Sequence, residues 1–521
     1  MTDSRVVRTG DEADAPVPPP DPSRSSALAG RERIRLDRPE WAAGEIPAHR
    51  RPLPIITREA LKEPSAAPTH DRLVGQNRER RVGEWTPEIA ALRERGAVIR
   101  RETLRDLERH LRRLTRQVES HGGVVHRVRT AAEAGAIVER IAADNDIELV
   151  VKSKSMATEE IHLNARLAER GIDVVETDLG EYIVQLADER PSHIIAPAVH
   201  KSRQQVTDLF GQLAGEPMSS DATELATFAR ERLRGDFKAA GMGVSGVNFA
   251  AADTGTLVLV TNEGNADMVT SQPRVHVAVM SVEKVIPRFR DLGVLIPLLC
   301  DAATKQRVSV YQTMITGPRR EDEIDGPEQL HLVIFDNGRT DVLGTPQEEV
   351  LACIRCGNCQ VACPVYRTLG GGHAYATVYG GPIGAVLSPI IGERDRDSDL
   401  PFLSSLCGAC FDACPVKIPI PDLLVNLRAE HVRNARSERT ARAGWRAWSR
   451  AWRTPAGFRV SLAGARWLGR LLPERLFARL PGPGRGWGKG RAMPPVREAG
   501  AFRAWYKHRT KRRAKRWEGG R

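Results

Sequence analysis

Two hydrophobic rhythms alternate through the middle of the chain. Short apolar runs read as buried strands: "GVVHRV" at 123–128, "IELVVKS" at 147–153, "IDVVET" at 172–177, "GTLVLVT" at 255–261, "RVHVAVM" at 274–280 and "LHLVIF" at 330–335. "YIVQL" at 182–186, "HII" at 193–195 and "RVSVYQTMI" at 307–315 fit the same template. Between these runs, apolar residues recur at helical spacing, as at Ala134, Ile137, Val138 and Ile141. That helix opens on a capping box, Thr130 with Glu133. Such alternation predicts an α/β domain over 61–338, a mostly parallel sheet with helices on both faces.

The flanks lack this rhythm. Residues 1–60 are rich in Pro, Ala, Arg and Asp and read as a disordered N-terminal extension. "IRRETLRDLERHLRRLTRQVE", 99–119, is helical and very basic. Residues 339–430 show short helical patterns cut by Gly and Pro, and 431–521 form a basic, helical C-terminal region. No apolar run reaches eighteen residues, so no membrane-spanning helix is expected. The N-terminus lacks a signal-peptide pattern, and a cytoplasmic protein is expected.

Charge is unevenly spread. Residues 431–521 carry 25 Lys and Arg against 4 Glu and no Asp, which leaves the other 430 residues at −9 within an overall +12. That tail also holds seven of the nine tryptophans. Trp445, Trp448 and Trp452 fall on one face of a helix. Docking on an acidic protein face is the first reading of such a tail, and peripheral contact with the inner face of a membrane is the second. Phosphate contacts with nucleic acid come last, because no nucleic-acid fold is recognised.

The cysteines carry the chemistry. Seven of the eight lie between Cys353 and Cys414. The first run is C-x2-C-x2-C-x3-C-P: Cys353, Cys356, Cys359, Cys363 and Pro364. This spacing is that of two-cluster ferredoxins, in which three thiolates hold one cluster and the fourth crosses to the other. Zinc more often takes two distant C-x2-C hooks, which fits four crowded cysteines poorly. The crossed arrangement gives Cys353, Cys356, Cys359 and Cys414 to a first cluster, a [4Fe-4S]. Cys363, Cys407 and Cys410 fall to a second. The second run lacks its leading cysteine, and Ser404 stands in that register. The second cluster is then a [3Fe-4S], or a [4Fe-4S] with a serine, water or other fourth ligand, or one completed by Cys300. A buried, inert thiol is the plainer reading of Cys300. A pair of clusters argues for electron transfer, since one would suffice as a staple.

These two runs, the linking "GGGHAYATVYGGPIGAVLSP", and the preceding "KSKSM" and "DTGTLVLVTNEGNADMVTSQP" carry a resemblance. Over about 90–500 the chain resembles the iron–sulfur subunit family of bacterial lactate utilization systems, lactate utilization protein B. The resemblance implies a LUD domain at 61–338, of the sugar-isomerase and CoA-transferase type. It implies a mainly helical dicluster ferredoxin-like domain at 339–430, usually with two [4Fe-4S] clusters. It implies electron carriage from the lactate-oxidising centre to a downstream acceptor during oxidation of L-lactate to pyruvate. The implied partners are a cysteine-rich subunit and a smaller LUD-domain subunit. The alternative is a self-contained oxidoreductase, with lactate or an acyl substrate bound in the α/β domain. Residues that bear on it are Lys152, Ser153, Lys154 and Ser155, which follow a strand where open α/β sheets bind ligands. Asp253, Thr254 and Gly255 precede another strand, and Asn262, Glu263, Gly264 and Asn265 follow it. Glu263 is the candidate carboxylate there, by analogy alone. His373, between the cysteine runs, is placed to tune a cluster by hydrogen bonding, though an ordinary loop histidine explains it as well.

Overall fold

A computed structural model describes residues 53–62, 85–391, 397–434, 439–471 and 501–518. Ten strands lie among the described residues: β1 Val124–Val128, β2 Leu149–Lys152, β3 Asp173–Glu176, β4 Met242–Gly246, β5 Phe249–Ala251, β6 Thr256–Thr261, β7 Val275–Ser281, β8 Val285–Ile286, β9 Tyr311–Ile315 and β10 Gln329–Phe335. Six form one sheet in the order β1-β10-β7-β4-β2-β3. Every pairing in it is parallel. Alternation along β7 and β10 sends Val275, Val277, Val279, Val333 and Phe335 into one apolar layer, and Ala278, Met280, Leu332 and Ile334 into the opposite one. Both faces are therefore covered, which is why these strands read as unbroken apolar runs.

Helices do the covering. Ala131–Asp144 starts on the expected capping box: the Glu133 N–H donates to Thr130 Oγ1 at 3.2 Å, and the Thr130 N–H to Glu133 Oε2 at 3.0 Å. Its Ala134, Val138 and Ile141 join the first layer. The basic run at 99–119 is two helices, Pro87–Arg105 and Leu107–Ser120, parted at Asp106. Leu107, Leu111, Leu114 and Val118 of the second helix face the other layer.

A smaller mixed sheet, β8-β5-β6-β9, flanks the large one. Its β5 and β6 share a core with the Leu292–Thr304 helix and with the cysteine region. The expected domains 61–338 and 339–430 are thus joined by one apolar core. The described residues split into two compact units at 431/432, where the composition changes. In the second unit, helices Arg439–Trp452, Pro455–Leu471 and Ala501–Glu518 leave Trp445, Trp448, Trp452, Trp467 and Trp505 substantially exposed. The Trp448 and Trp452 rings lie against each other tilted by 36°, 5.1 Å between ring centres. No helix among the described residues is long and apolar enough to cross a membrane.

Three expectations change. "YIVQL" lies in a helix, Leu179–Leu186, started by Asp178, whose side chain accepts the Glu181 N–H at 3.1 Å. "HII" is not a strand but a loop against the cysteine region. Residues 53–60, placed within the disordered extension, form a helix whose Leu53 and Ala60 enter the shared core; residues 1–52 lie outside the described residues. Strand β4 escapes the sequence reading because it needs glycine: a Cβ on Gly243 would stand 1.9 Å from the Val269 carbonyl oxygen.

Candidate iron–sulfur centre

The two cysteine runs fold as the same loop. Residues 355 and 357 of the first have left-handed backbone, Arg355 at φ 60° and Gly357 at φ 74°. Fifty-one positions on, Leu406 at φ 54° and Gly408 at φ 88° repeat it. Left-handed conformation is uncommon outside glycine, so the repetition at Arg355 and Leu406 marks a shared requirement. Each loop then enters a short helix, Asn358–Ala362 or Ala409–Asp412. In the first loop the Arg355 N–H donates to Cys353 Sγ at 3.4 Å. In the second the Leu406 N–H donates to Ser404 Oγ at 3.1 Å. Ser404 therefore holds the place of the missing cysteine in backbone geometry as well as in spacing.

Cys353, Cys356, Cys359 and Cys414 line one small cavity, with Ile194, Ile354, Ile383, Val416 and other apolar residues as its wall. Cys363, Cys407 and Cys410 form a second group, seen in their mutual electrostatic influence. Burial raises the Cys356 and Cys359 thiols far above their usual value, with neighbouring thiols adding to it. Burial, then Cys353, pushes Cys414 up to about 11. Burial, then Cys363, pushes Cys410 up to about 12. Cys407 is exposed, and the Ala409 N–H and the Ser405 hydroxyl hold its thiol below the ordinary value. Crowded buried thiols of this kind ionise only against a strong positive partner, which a metal cluster provides. The Cys414 sulfur also accepts the Ile418 N–H at 3.3 Å. Such N–H···S bonds tune reduction potential. Among the described residues, no three His, Cys, Asp or Glu side chains converge as for a single metal ion. The donor set and the cavity it surrounds fit a cluster.

Charge fastens this region to the sheets. Arg339 is fully buried and pairs with Glu160 at 2.6 Å and Glu283 at 2.9 Å. The second pair is close, but its hydrogen is not aligned for a bond. Arg355 pairs with Glu283 at 2.8 Å, and Tyr379 donates to Glu160 at 2.9 Å. Arg100 donates to the carbonyls of Glu283, Val285, Leu351 and Ala352. Desolvation lowers its pKa to about 10. The Arg339 and Arg355 guanidiniums outweigh burial and hold the Glu283 carboxyl near 2.

Other singled-out residues divide between roles. Lys152 is an internal ion pair, 2.8 Å from Glu159 and 2.6 Å from Glu176. Ser153, Lys154, Ser155, Asn262, Glu263 and Asn265 line a cleft of about 370 Å³. Burial, then Asp178, raises the Glu263 carboxyl. Asp253 accepts the Phe289 N–H at 2.7 Å, and Gly255 packs against Gln117; neither lines the cleft. Gly264 faces Tyr311. Cys300 is buried along the cleft, apart from the thiol-lined cavity, with Ser309 as its partner and no cysteine among the groups that shift it. The His373 side chain lies outside the described residues. Sequence reading missed Ser192–Ile195. Tyr366 donates to the Ser192 carbonyl, the Ile194 N–H to Gln360 Oε1 at 3.4 Å, and His193 lies over Gly357. No local pattern announces a loop whose partners lie more than 150 residues away.

Comparison with known proteins agrees with this geometry. Residues 111–335 match the LUD domain, and residues 349–418 match the 4Fe-4S dicluster domain. The chain is 44% identical over 442 residues to lactate utilization protein B of Geobacillus thermodenitrificans, covering 82% of this chain and 90% of that protein. It is 45% identical over 436 residues to the protein of the same name from Oceanobacillus iheyensis, covering 82% and 89%. A DUF162 family protein from Deinococcus radiodurans aligns over 44% of this chain and 98% of its own at 13% identity, with a TM-score of 0.25, too weak to carry an argument. A LUD sheet, a dicluster region at the predicted cysteines and relatives matched over nine-tenths of their length place this chain in the lactate utilization protein B family.

Proposed function

We propose that the chain is an electron-transfer subunit of an L-lactate-oxidising system, passing electrons from the lactate-oxidising centre to a downstream acceptor. The observation that carries this is the cavity lined by four thiols drawn from both runs. Cys353, Cys356, Cys359 and Cys414 hold the first cluster. Cys363, Cys407 and Cys410 hold the second. Ser404 supports a four-ligand set for the second, because its Oγ takes the N–H that Cys353 takes in the first loop. Bound in these positions, iron–sulfur clusters supply one-electron redox chemistry. The chain's part is to shield the first site with isoleucine and valine, to aim N–H groups at its sulfurs, and to leave Cys407 exposed where electrons can pass to or from a partner. One-electron carriage needs such partners, in this family a cysteine-rich subunit and a smaller LUD-domain subunit. The exposed tryptophans and arginines of the second unit suit docking on one of them.

Anaerobic purification tests the reading. The protein should contain iron and acid-labile sulfide and give two interacting EPR signals after dithionite reduction. Zinc in the thiols, with no sulfide, overturns it. Ser404→Cys should change the EPR of the second cluster only, and Ser404→Ala should favour a three-iron signal in the oxidised state. A second reading, a self-contained oxidoreductase, draws on the cleft in the α/β region. Reduction of a dye by lactate with this chain alone would favour it.

A further inference from the structure

The 370 Å³ cleft falls in the size range of ligand pockets and lies between the two sheets and the first cysteine loop. It shares two wall residues, Ile194 and Arg355, with the cavity of the four thiols. A molecule in the cleft is thus one side chain away from the first cluster site.

Its polar lining is unsatisfied in a particular way. Arg355 is 6% exposed, and its Nη1 has no hydrogen-bond partner among the described residues. Lys154 and Lys284 also line the cleft, and among the described residues neither ammonium has a hydrogen bond or an ion pair. A buried donor left unpaired is costly, so the Arg355 Nη1, together with the two half-buried ammoniums in the same lining, points to a missing acceptor. The opposing carboxylates in the lining are Asp178 and Glu263. Arg355 already pairs with Glu283 at 2.8 Å and burial lowers Lys284 to about 7, so the cleft carries little net positive charge and suits a monoanion better than a phosphate dianion. Leu259, Leu299, Ile195 and Met156 add an apolar wall suited to a carbon chain.

We propose that this cleft binds an organic monocarboxylate, held by Arg355, Lys154 and Lys284, and that the bound anion acts on the first cluster through Arg355. The second half rests on the cluster assignment above; the first does not. An anion beside Arg355 offsets part of the positive charge that acts on Cys353, so it disfavours the reduced, more negative cluster.

The test uses full-length, anaerobically purified protein of measured iron and sulfide content. Pyruvate, 2-oxooctanoate and inorganic phosphate are the probes, with calorimetry for binding and EPR of the reduced protein for coupling. Saturable binding of at least one carboxylate is expected, at least tenfold weaker in both Lys284→Met and Lys154→Met, with phosphate a poor competitor. The carboxylate should also alter the line shape or potential of one cluster. No saturable binding to iron-replete protein overturns the site. So does unchanged affinity in both variants with native melting curves, and so does phosphate binding as tightly as either carboxylate. Binding without any spectral or potential change overturns the coupling alone. Missing iron and sulfide would sink the cluster assignment, while calorimetry on that same sample would still decide the cleft.

Discussion

The six-stranded sheet and the cysteine region, packed in one unit, hold their shapes by different means. The sheet carries two continuous apolar layers of its own. The cysteine region has helices of four and five residues around its ligands, and left-handed backbone at Arg355, Gly357, Leu406, Gly408 and Lys417. Helices that short are not stable alone. The region borrows order from the LUD side, through Arg100, Arg339 and Ser192–Ile195, and, in the proposed reading, from metal. The lesson is that one element of a compact unit rests on apolar layers of its own, while its neighbour adds buried charge and, in the proposed reading, ligation to the apolar core it shares.

The sharpest way to break the comparison is Cys356→Ser. It should abolish the first cluster's EPR signal and open residues 349–418 to hydrogen exchange, while β7 and β10 stay protected. Equal loss of protection in the sheet would show that the two regions fold as one. Next in size, Arg339→Met leaves Glu160 and Glu283 as buried charges lacking their main partner. A loss of about 3–5 kcal/mol in denaturant unfolding is expected.

Acid should act on the sheet. Burial lowers His276 to about 3 and His126, with His331 beside it, to about 4. Unfolded histidine takes its proton near 6.5, so the unfolded chain binds more protons below that pH. Stability is therefore full above about 6.5 and falls as pH drops toward 3–4. His276→Asn should flatten that slope in thermal melts, including in the Cys356→Ser background. An unchanged slope would remove the histidines from the account. The smallest effect belongs to Thr130→Ala, which removes a capping box at the sheet's edge. It should cost about 1 kcal/mol and leave cluster spectra unaltered.

Legibility differed between these regions for physical reasons. β2, β7 and β10 were readable because buried parallel strands must be apolar on both faces, and β6, antiparallel in the smaller sheet, because it too is largely buried. β4 was not, because Gly243 and Gly246 are set by crowding from Val269 and Ser155 rather than by hydrophobicity. "YIVQL" misled because a short apolar run suits strand and helix alike, and Asp178 decided for helix. Spacing singled out the four thiols that line one cavity, since a short loop fixes distances along the chain.

By itself the sequence determined the α/β alternation, the Thr130 cap, the break in composition at 431 and the paired cysteine loops with serine in one register. Those are local matters of period and spacing. Only the tertiary structure decided that the cysteine region shares the LUD core, that Glu283 ties Arg339 to Arg355, and that a cleft lined by Lys154, Lys284 and Arg355 adjoins the thiols. These depend on groups far apart in the chain, which burial brings together and no local pattern encodes.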